Sequence, residues 1–219
     1  MNSPIPHEIP EELQQLLGQL DDFIESEVRP LEESNDNIRF FDHRREDART
    51  DWERGGLPND EWEDLLHQTK RMADAAGFYR YPFPAEYGGS DGTIYGMAVI
   101  REHLARRGLG LHNDLQNEHS IVGNNVGLLL MINYGTEEQK ADWVDDLAEG
   151  RRGFAFGITE PEHGSDATHM DTHAVKDGDE WIINGEKTWN TGIHKADCDL
   201  IFARTSGAAG DGDGITAFL

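Results

Sequence analysis

The sequence predicts an α+β protein in two parts. An all-α helical domain over residues 1–150 is followed by a partial antiparallel β-barrel or sheet domain over 151–219. Apolar residues recur at helical spacing through the first part. After Gly150 the chain changes to short β-prone runs, and Asp177-Gly178 and Asn184-Gly185 stand between such runs as turn signals. Helices first and antiparallel strands second is the order expected of an α+β arrangement.

Each element has its own signature. Leu13, Leu16, Leu17, Leu20, Phe23, Ile24 and Val28 mark a helix whose first turn suits Pro10. A second helix is expected over 60–76, stopped by Gly77, then a turn-rich loop over 81–92 and a third helix over 93–107. The segment 115–133 is the most apolar and reads as a buried helix. In "TEEQKADWVDDLAEG", Thr136 and Gln139 form a capping box and Gly150 closes the helix. Beyond it, "RRGFAFGIT", the two runs around Asp177-Gly178, "CDLIFART" and "GITAFL" predict five strands. The last stops at Leu219 in mid-run, so the sheet is expected to be cut short and the chain truncated. An unfinished sheet would expose an edge and an apolar face, and residues 1–219 alone would then aggregate or fold poorly.

Composition narrows the function. Forty-three acidic against nineteen basic residues give a formal charge of −24, which disfavours nucleic acid and anionic membranes as partners. At about 1 M salt the Debye length is roughly 3 Å, so such an acidic surface is expected to gain stability in strong salt. Cys198 is the only cysteine, which excludes an intrachain disulfide. "MNSPIPHEIPEEL" lacks the basic flank and apolar run of a signal peptide, and "VGLLLMI" is too short to span a membrane. A cytoplasmic protein without membrane insertion is the expectation.

Four segments then point to chemistry: "PFPAEYGG" at 82–89, "YGTEEQKADWVDDLAEG" at 134–150, "FGITEPEHGSD" at 156–166, and "INGEKTWNTG" at 183–192 followed by "ADCDLIFART". In this order and spacing the chain resembles the acyl-CoA dehydrogenases, FAD-dependent oxidoreductases of fatty acid metabolism with a helical N-terminal domain, a middle β domain and a C-terminal helical domain. The resemblance covers the first domain and part of the second, with the third absent. It implies α,β-dehydrogenation of an acyl-CoA thioester, with hydride passing to the flavin and electrons leaving to an electron-transferring flavoprotein. It also implies a homo-oligomer when full length.

By resemblance, Phe156, Ile158 and Thr159 flank the flavin ring. Gly164 and Ser165 lie where cofactor and substrate run, Ser165 also meeting substrate. Trp189, on a W-x-T strand, lies against the ring, and Thr191 reaches toward its redox-active nitrogen. The residue types suit a flavin, whose polar edges take hydroxyls and backbone N–H groups and whose flat faces take aromatic or branched side chains. A glycine at 164 would allow close approach of the backbone to a ligand. The chain departs from the family pattern at His163, at Asn190 and at Gly192-Ile193-His194.

Plainer readings stand beside these. Alone, a Gly-Ser-Asp loop is a turn and Trp189 a core residue. His163, His169 and His173 fall on loop and strand, so no metal site is expected. His112 and His119 read as surface or hydrogen-bonded residues, and "GLG" at 108–110 as a helix end. Ser165, His163 and Asp166 are too close in sequence for a relay. Glu160 is given a structural role, and no catalytic residue is nominated, since the family's proton-abstracting glutamate belongs to the C-terminal domain. The alternatives are an acyl-CoA oxidase or flavin monooxygenase on the same scaffold, or a non-catalytic truncated fragment.

Overall fold

The computed structural model describes residues 8–114, 119–123 and 126–219. The chain divides into two compact units, Met1–Leu129 and Leu130–Leu219.

In the first unit, α1 (Glu11–Phe23) begins directly after Pro10. It continues through one π-helical turn (Ile24–Val28) into α2 (Arg29–Glu33). The widened turn precedes Pro30, which has no N–H to return to the preceding turn. The predicted apolar stripe faces inward, with Leu20, Ile24 and Val28 fully buried. Two 3-10 stretches, Ser34–Phe41 and His43–Arg49, lead to a small ladder of β1 (Thr50–Asp51) and β2 (Leu57–Pro58). Then α3 (Asp60–Ala75) starts where the Asn59 side chain accepts from the Glu61 N–H at 2.9 Å, and Gly77 at φ 84° ends its run. α4 (Ile94–Arg106) is capped by the Thr93 hydroxyl, which accepts from the Gly96 N–H at 3.0 Å. Trp62, Ile100 and Leu104 complete the core with the first helix.

The segment 115–133 departs from its expected single helix. β3 (Asn113–Asp114) pairs antiparallel with β4 (His119–Ser120), and α5 covers only Val126–Tyr134. Residues 115–118 and 124–125 lie outside the described residues. The physical reason is polar burial. His119 Nε2 bonds the Leu111 carbonyl at 2.7 Å, and the Ser120 hydroxyl accepts from the Val122 N–H at 3.2 Å. Such side-chain-to-backbone bonds compete with a helical ladder. His112 and His119 are therefore buried, His119 hydrogen-bonded as expected, and neither is a surface residue.

The division between the units falls inside α5. In the second unit α6 (Glu137–Glu149) carries the predicted capping box between Thr136 and Gln139, and Gly150 closes it at φ 70°. Trp143 of this helix packs on Phe154 with ring centres 4.7 Å apart, and the Arg152 guanidinium lies 3.6 Å above the Trp143 ring. Five strands follow: β5 (Phe154–Gly157), β6 (His173–Asp177), β7 (Glu180–Asn184), β8 (Cys198–Arg204) and β9 (Ile215–Phe218).

Their sheet is mixed rather than antiparallel, and it forms no closed barrel among the described residues. The order is β5-β8-β6-β7, with β9 also on β8. β6–β7 and β8–β9 are antiparallel, while β5–β8 and the single β6–β8 pair are parallel. A short turn such as Asp177–Gly178 forces antiparallel pairing, whereas the long excursion from Gly157 to Cys198 lets the chain cross over and return in the same direction. Asn184-Gly185 makes no hairpin. A Cβ at Gly185 would lie 2.1 Å from Thr172 Oγ1, so this glycine lets the chain fold tightly over Thr172 and run irregularly to residue 190. Val175 and Ile182 are exposed on one face of the β6–β7 hairpin, and Trp181 and Ile183 on the other, where the Trp181 ring packs edge-on against Phe218. No helix among the described residues is long and apolar enough to cross a membrane.

Candidate flavin site

The predicted site residues all lie in the second unit, on two segments that meet. The first leaves β5 at Gly157 and passes through Ile158 and Thr159 into the loop that carries Gly164 and Ser165. The second runs irregularly from Gly185 through Lys187 and Thr188 to Trp189 and Thr191. They are joined by the Thr188 N–H, which donates to the Thr159 carbonyl at 2.8 Å. Phe156 is half-buried on β5 and stacks on Phe202 of β8, ring centres 6.3 Å apart and planes 18° from parallel.

Trp189 is not on a strand. It sits at φ 62°, in the left-handed region that a bulky side chain rarely adopts, and 86% of it is exposed. Such a conformation costs on the order of 1–3 kcal/mol and persists only where neighbouring bonds enforce it. Next to it, Asn190 Nδ2 donates to Asp199 Oδ2 of β8 at 2.6 Å. A Cβ on Gly157 would lie 3.1 Å from that amide nitrogen and 2.6 Å from Ile201 Cδ1, so glycine leaves the space that Asn190 fills. Trp189 is thus neither the core residue of the plain reading nor a strand residue; it is a bare ring on a tethered turn. Thr191 is exposed, its hydroxyl 3.5 Å from the Trp189 carbonyl.

Gly164 and Ser165 are exposed, and a Cβ on Gly164 would meet nothing within 4 Å. The loop is folded from within. Glu160 and His163 exchange backbone bonds of 3.0 and 3.2 Å, and Asp166 accepts from the Thr168 N–H at 3.2 Å and pairs with His169 Nδ1 at 2.6 Å. The Thr168 hydroxyl and His169 hold the Asp166 carboxyl below its ordinary range. No bond joins Ser165 to these groups among the described residues, so the loop carries no nucleophilic relay.

Sequence reasoning missed Lys187. Its ammonium donates to Glu160 Oε1 at 2.7 Å and to the Ile158 carbonyl at 3.2 Å, with side chains only 6% and 4% exposed for Lys187 and Glu160. Glu160 also accepts from the Asp171 N–H at 2.6 Å and the Thr172 N–H at 2.9 Å. Burial works against its charge, but Lys187 and these backbone amides prevail and hold the carboxyl at about 2. The signal was present in the sequence, because Lys187 is one of five lysines in a strongly acidic chain and stands two residues before Trp189. The carboxylates of Glu160 and Asp171 and one nitrogen of His163 come within 4.8 Å of one another. That cluster is a poor cation site, since the Glu160 oxygens are already taken and a lysine ammonium sits beside them.

The arrangement fits a flavin on its own terms. It offers an uncovered aromatic face at Trp189, exposed hydroxyls at Ser165 and Thr191, and space in front of Gly164. Thr188 Oγ1 and Asn190 Oδ1 are buried without hydrogen-bond partners among the described residues, so the turn beside Trp189 holds polar capacity that the protein leaves unused.

Comparison with known proteins gives the same frame. The family profile for the acyl-CoA dehydrogenase N-terminal domain matches residues 38–151, and that for the middle domain matches 155–219. The short-chain specific acyl-CoA dehydrogenase of Clostridium acetobutylicum is 33% identical over 160 residues, covering 73% of this chain and 41% of its own. The crystal structure of an acyl-CoA dehydrogenase from Geobacillus kaustophilus superposes with a TM-score of 0.60 at 28% identity, over 96% of this chain and 48% of its own. A glutaryl-CoA dehydrogenase from Mycobacterium smegmatis, solved in complex with FADH2, shares the fold at TM-score 0.61 and 22% identity, over 96% of this chain and 45% of its own. The chain spans less than half the length of each of these relatives. With both its helical and its β part matched in order, the chain belongs to the acyl-CoA dehydrogenase family.

Proposed function

We propose that this chain supplies the flavin-facing wall of an FAD-dependent acyl-CoA dehydrogenase that carries out α,β-dehydrogenation of an acyl-CoA thioester. The observation that carries the reading is the bare Trp189 ring, held in a left-handed turn and tied through Thr188 to the Thr159 segment. FAD, when bound, supplies the hydride-accepting chemistry. The chain binds and orients it, with Trp189 and Phe156 offering apolar faces. Ile158 contributes a branched side chain, and Thr159 and Thr191 contribute polar groups. Gly164 and Ser165 leave room for the cofactor and the substrate arm, Ser165 contacting both.

Residues 1–150 form the helical domain and 151–219 part of the middle β domain in this reading. The full protein is a cytoplasmic homo-oligomer that passes electrons to an electron-transferring flavoprotein. None of these residues is nominated as the base. A base works best with a pKa near the operating pH, and Glu160, the buried carboxylate of the site, is held at about 2 with both oxygens engaged.

The test is to purify the protein as its gene encodes it, in strong salt, and titrate it with FAD. Saturable binding with a red-shifted, protein-bound flavin spectrum is expected, and Trp189→Ala should weaken it. A wild-type protein that stays colourless and leaves flavin fluorescence unchanged would overturn the reading.

A further inference from the structure

We propose that Glu160 and Lys187 act together as a positioning pair for the flavin site, setting the distance between the Ile158–Thr159 segment and the Thr188–Trp189 turn. The inference rests on the flavin reading above and extends it to two residues that would not touch the cofactor.

The geometry places this pair where two site segments meet a third. Lys187 Nζ holds the Ile158 carbonyl and the Glu160 carboxylate at once. Glu160 in turn holds the amides of Asp171 and Thr172, the residues that lead into β6. Gly185 closes against Thr172 from the other side, with a Cβ position 2.6 Å from the Thr172 Cα. One carboxylate and one ammonium therefore join 158–160, 171–172 and 185–188. One residue beyond Lys187, the Thr188 N–H bonds Thr159, and one residue beyond that stands Trp189.

Burial separates this pair from the surface ion pairs of the chain. Exposed pairs contribute little, but removing one member of a buried pair leaves an uncompensated charge, and the segments must move to rehydrate it. An all-apolar replacement at the same place often leaves stability unchanged. A purely structural pair and a positioning pair thus give different results when both charges are removed together. Removal of both charges leaves no uncompensated buried charge in either case, although a glutamine offers a single acceptor oxygen to the two N–H groups that Glu160 holds. Only in the second case does it leave the Ile158–Thr188 spacing unset.

The experiment uses the wild type, Lys187→Met, and the double variant Glu160→Gln/Lys187→Met in the full protein. Three quantities are measured: thermal stability without cofactor, FAD affinity by fluorescence titration, and circular dichroism of the bound flavin band. Lys187→Met is expected to lose both stability and flavin affinity. The double variant is expected to be more stable than Lys187→Met, because no uncompensated charge stays buried. Its flavin affinity should remain about tenfold to a hundredfold weaker than wild type, the range seen when partners behind other ligand-holding groups are lost, and its flavin dichroism should be altered. Flavin affinity that recovers along with stability would overturn the proposal, since the pair would then be structural only. Unchanged affinity in both variants would overturn it too. A wild type that binds no FAD would instead bring down the flavin reading itself, and this inference with it.

Discussion

Lowering the pH from 7 should destabilise the protein through a histidine buried in the first unit. His119, on β4, is buried, with Nε2 on the Leu111 carbonyl at 2.7 Å and Nδ1 buried without a partner among the described residues. Burial pushes its pKa down to about 3, helped by Lys70 and Arg101 and opposed by the Leu111 carbonyl and Asp114. The unfolded chain takes up this proton near 6.5 and the folded chain does not, so stability is complete above about 6.5 and drains away as pH falls toward 3. The slope is ~1.4 kcal/mol per pH unit, or ~3 kcal/mol between pH 6.5 and 4.5.

Two other buried groups share the window. His112 is also lowered by burial and adds to the loss, whereas burial raises Glu32, which yields stability as pH falls. Glu160 enters only below about 4.5, because its depressed carboxyl loses its contribution as pH falls from there toward 2. The assay is therefore urea denaturation at pH 7.5, 6.5, 5.5 and 4.5, at fixed salt, for wild type and His119→Gln. Glutamine can still donate to Leu111 and does not titrate. Below pH 6.5 the wild-type slope should exceed that of the variant by ~1.4 kcal/mol per pH unit, and above it the two should agree. Equal slopes, or an NMR titration of His119 near 6.5, would refute the reasoning.

Two further outcomes are expected. The chain's melting temperature should rise between about 0.1 and 2 M KCl, because the charge of −24 repels itself and salt screens it; a flat or falling curve would show that the exposed ion pairs matter more. Gly185→Ala should cost ~1–3 kcal/mol in urea denaturation, since its Cβ would press on the hydroxyl, Cβ and backbone Cα of Thr172 together, and it should weaken FAD binding as well. Wild-type stability and affinity in that variant would mean the chain opens there at no cost.

Much of the fold was legible because its signals are local. Leu13 through Val28 repeat at helical spacing, Thr136 and Gln139 cap a helix through contacts three residues apart, and Asp177-Gly178 makes a hairpin with its immediate neighbours. The segment 115–133 was not legible in the same way. Its apolar run at 126–132 favours helix, while the polar residues 116–120 do not, and there His119 is buried against the Leu111 carbonyl eight residues back and the Ser120 hydroxyl accepts from the Val122 N–H. Asn184-Gly185 carries the same turn signal as Asp177-Gly178, yet Thr172 lies against it and turns the chain elsewhere.

At the candidate site the division is similar. The resemblance of four segments to the acyl-CoA dehydrogenases nominated Phe156, Ile158, Thr159, Gly164, Ser165, Trp189 and Thr191, and their side-chain types suit the edges and faces of a flavin. Only the tertiary structure decided that β5 and β8 run parallel, that Trp189 stands bare in a left-handed turn, and that Lys187 reaches Glu160 across 27 positions of sequence. The physical reason is that periodicity and capping act over three or four residues. A buried charge pair acts across whatever segments the fold brings together, and nothing in either residue alone announces its partner.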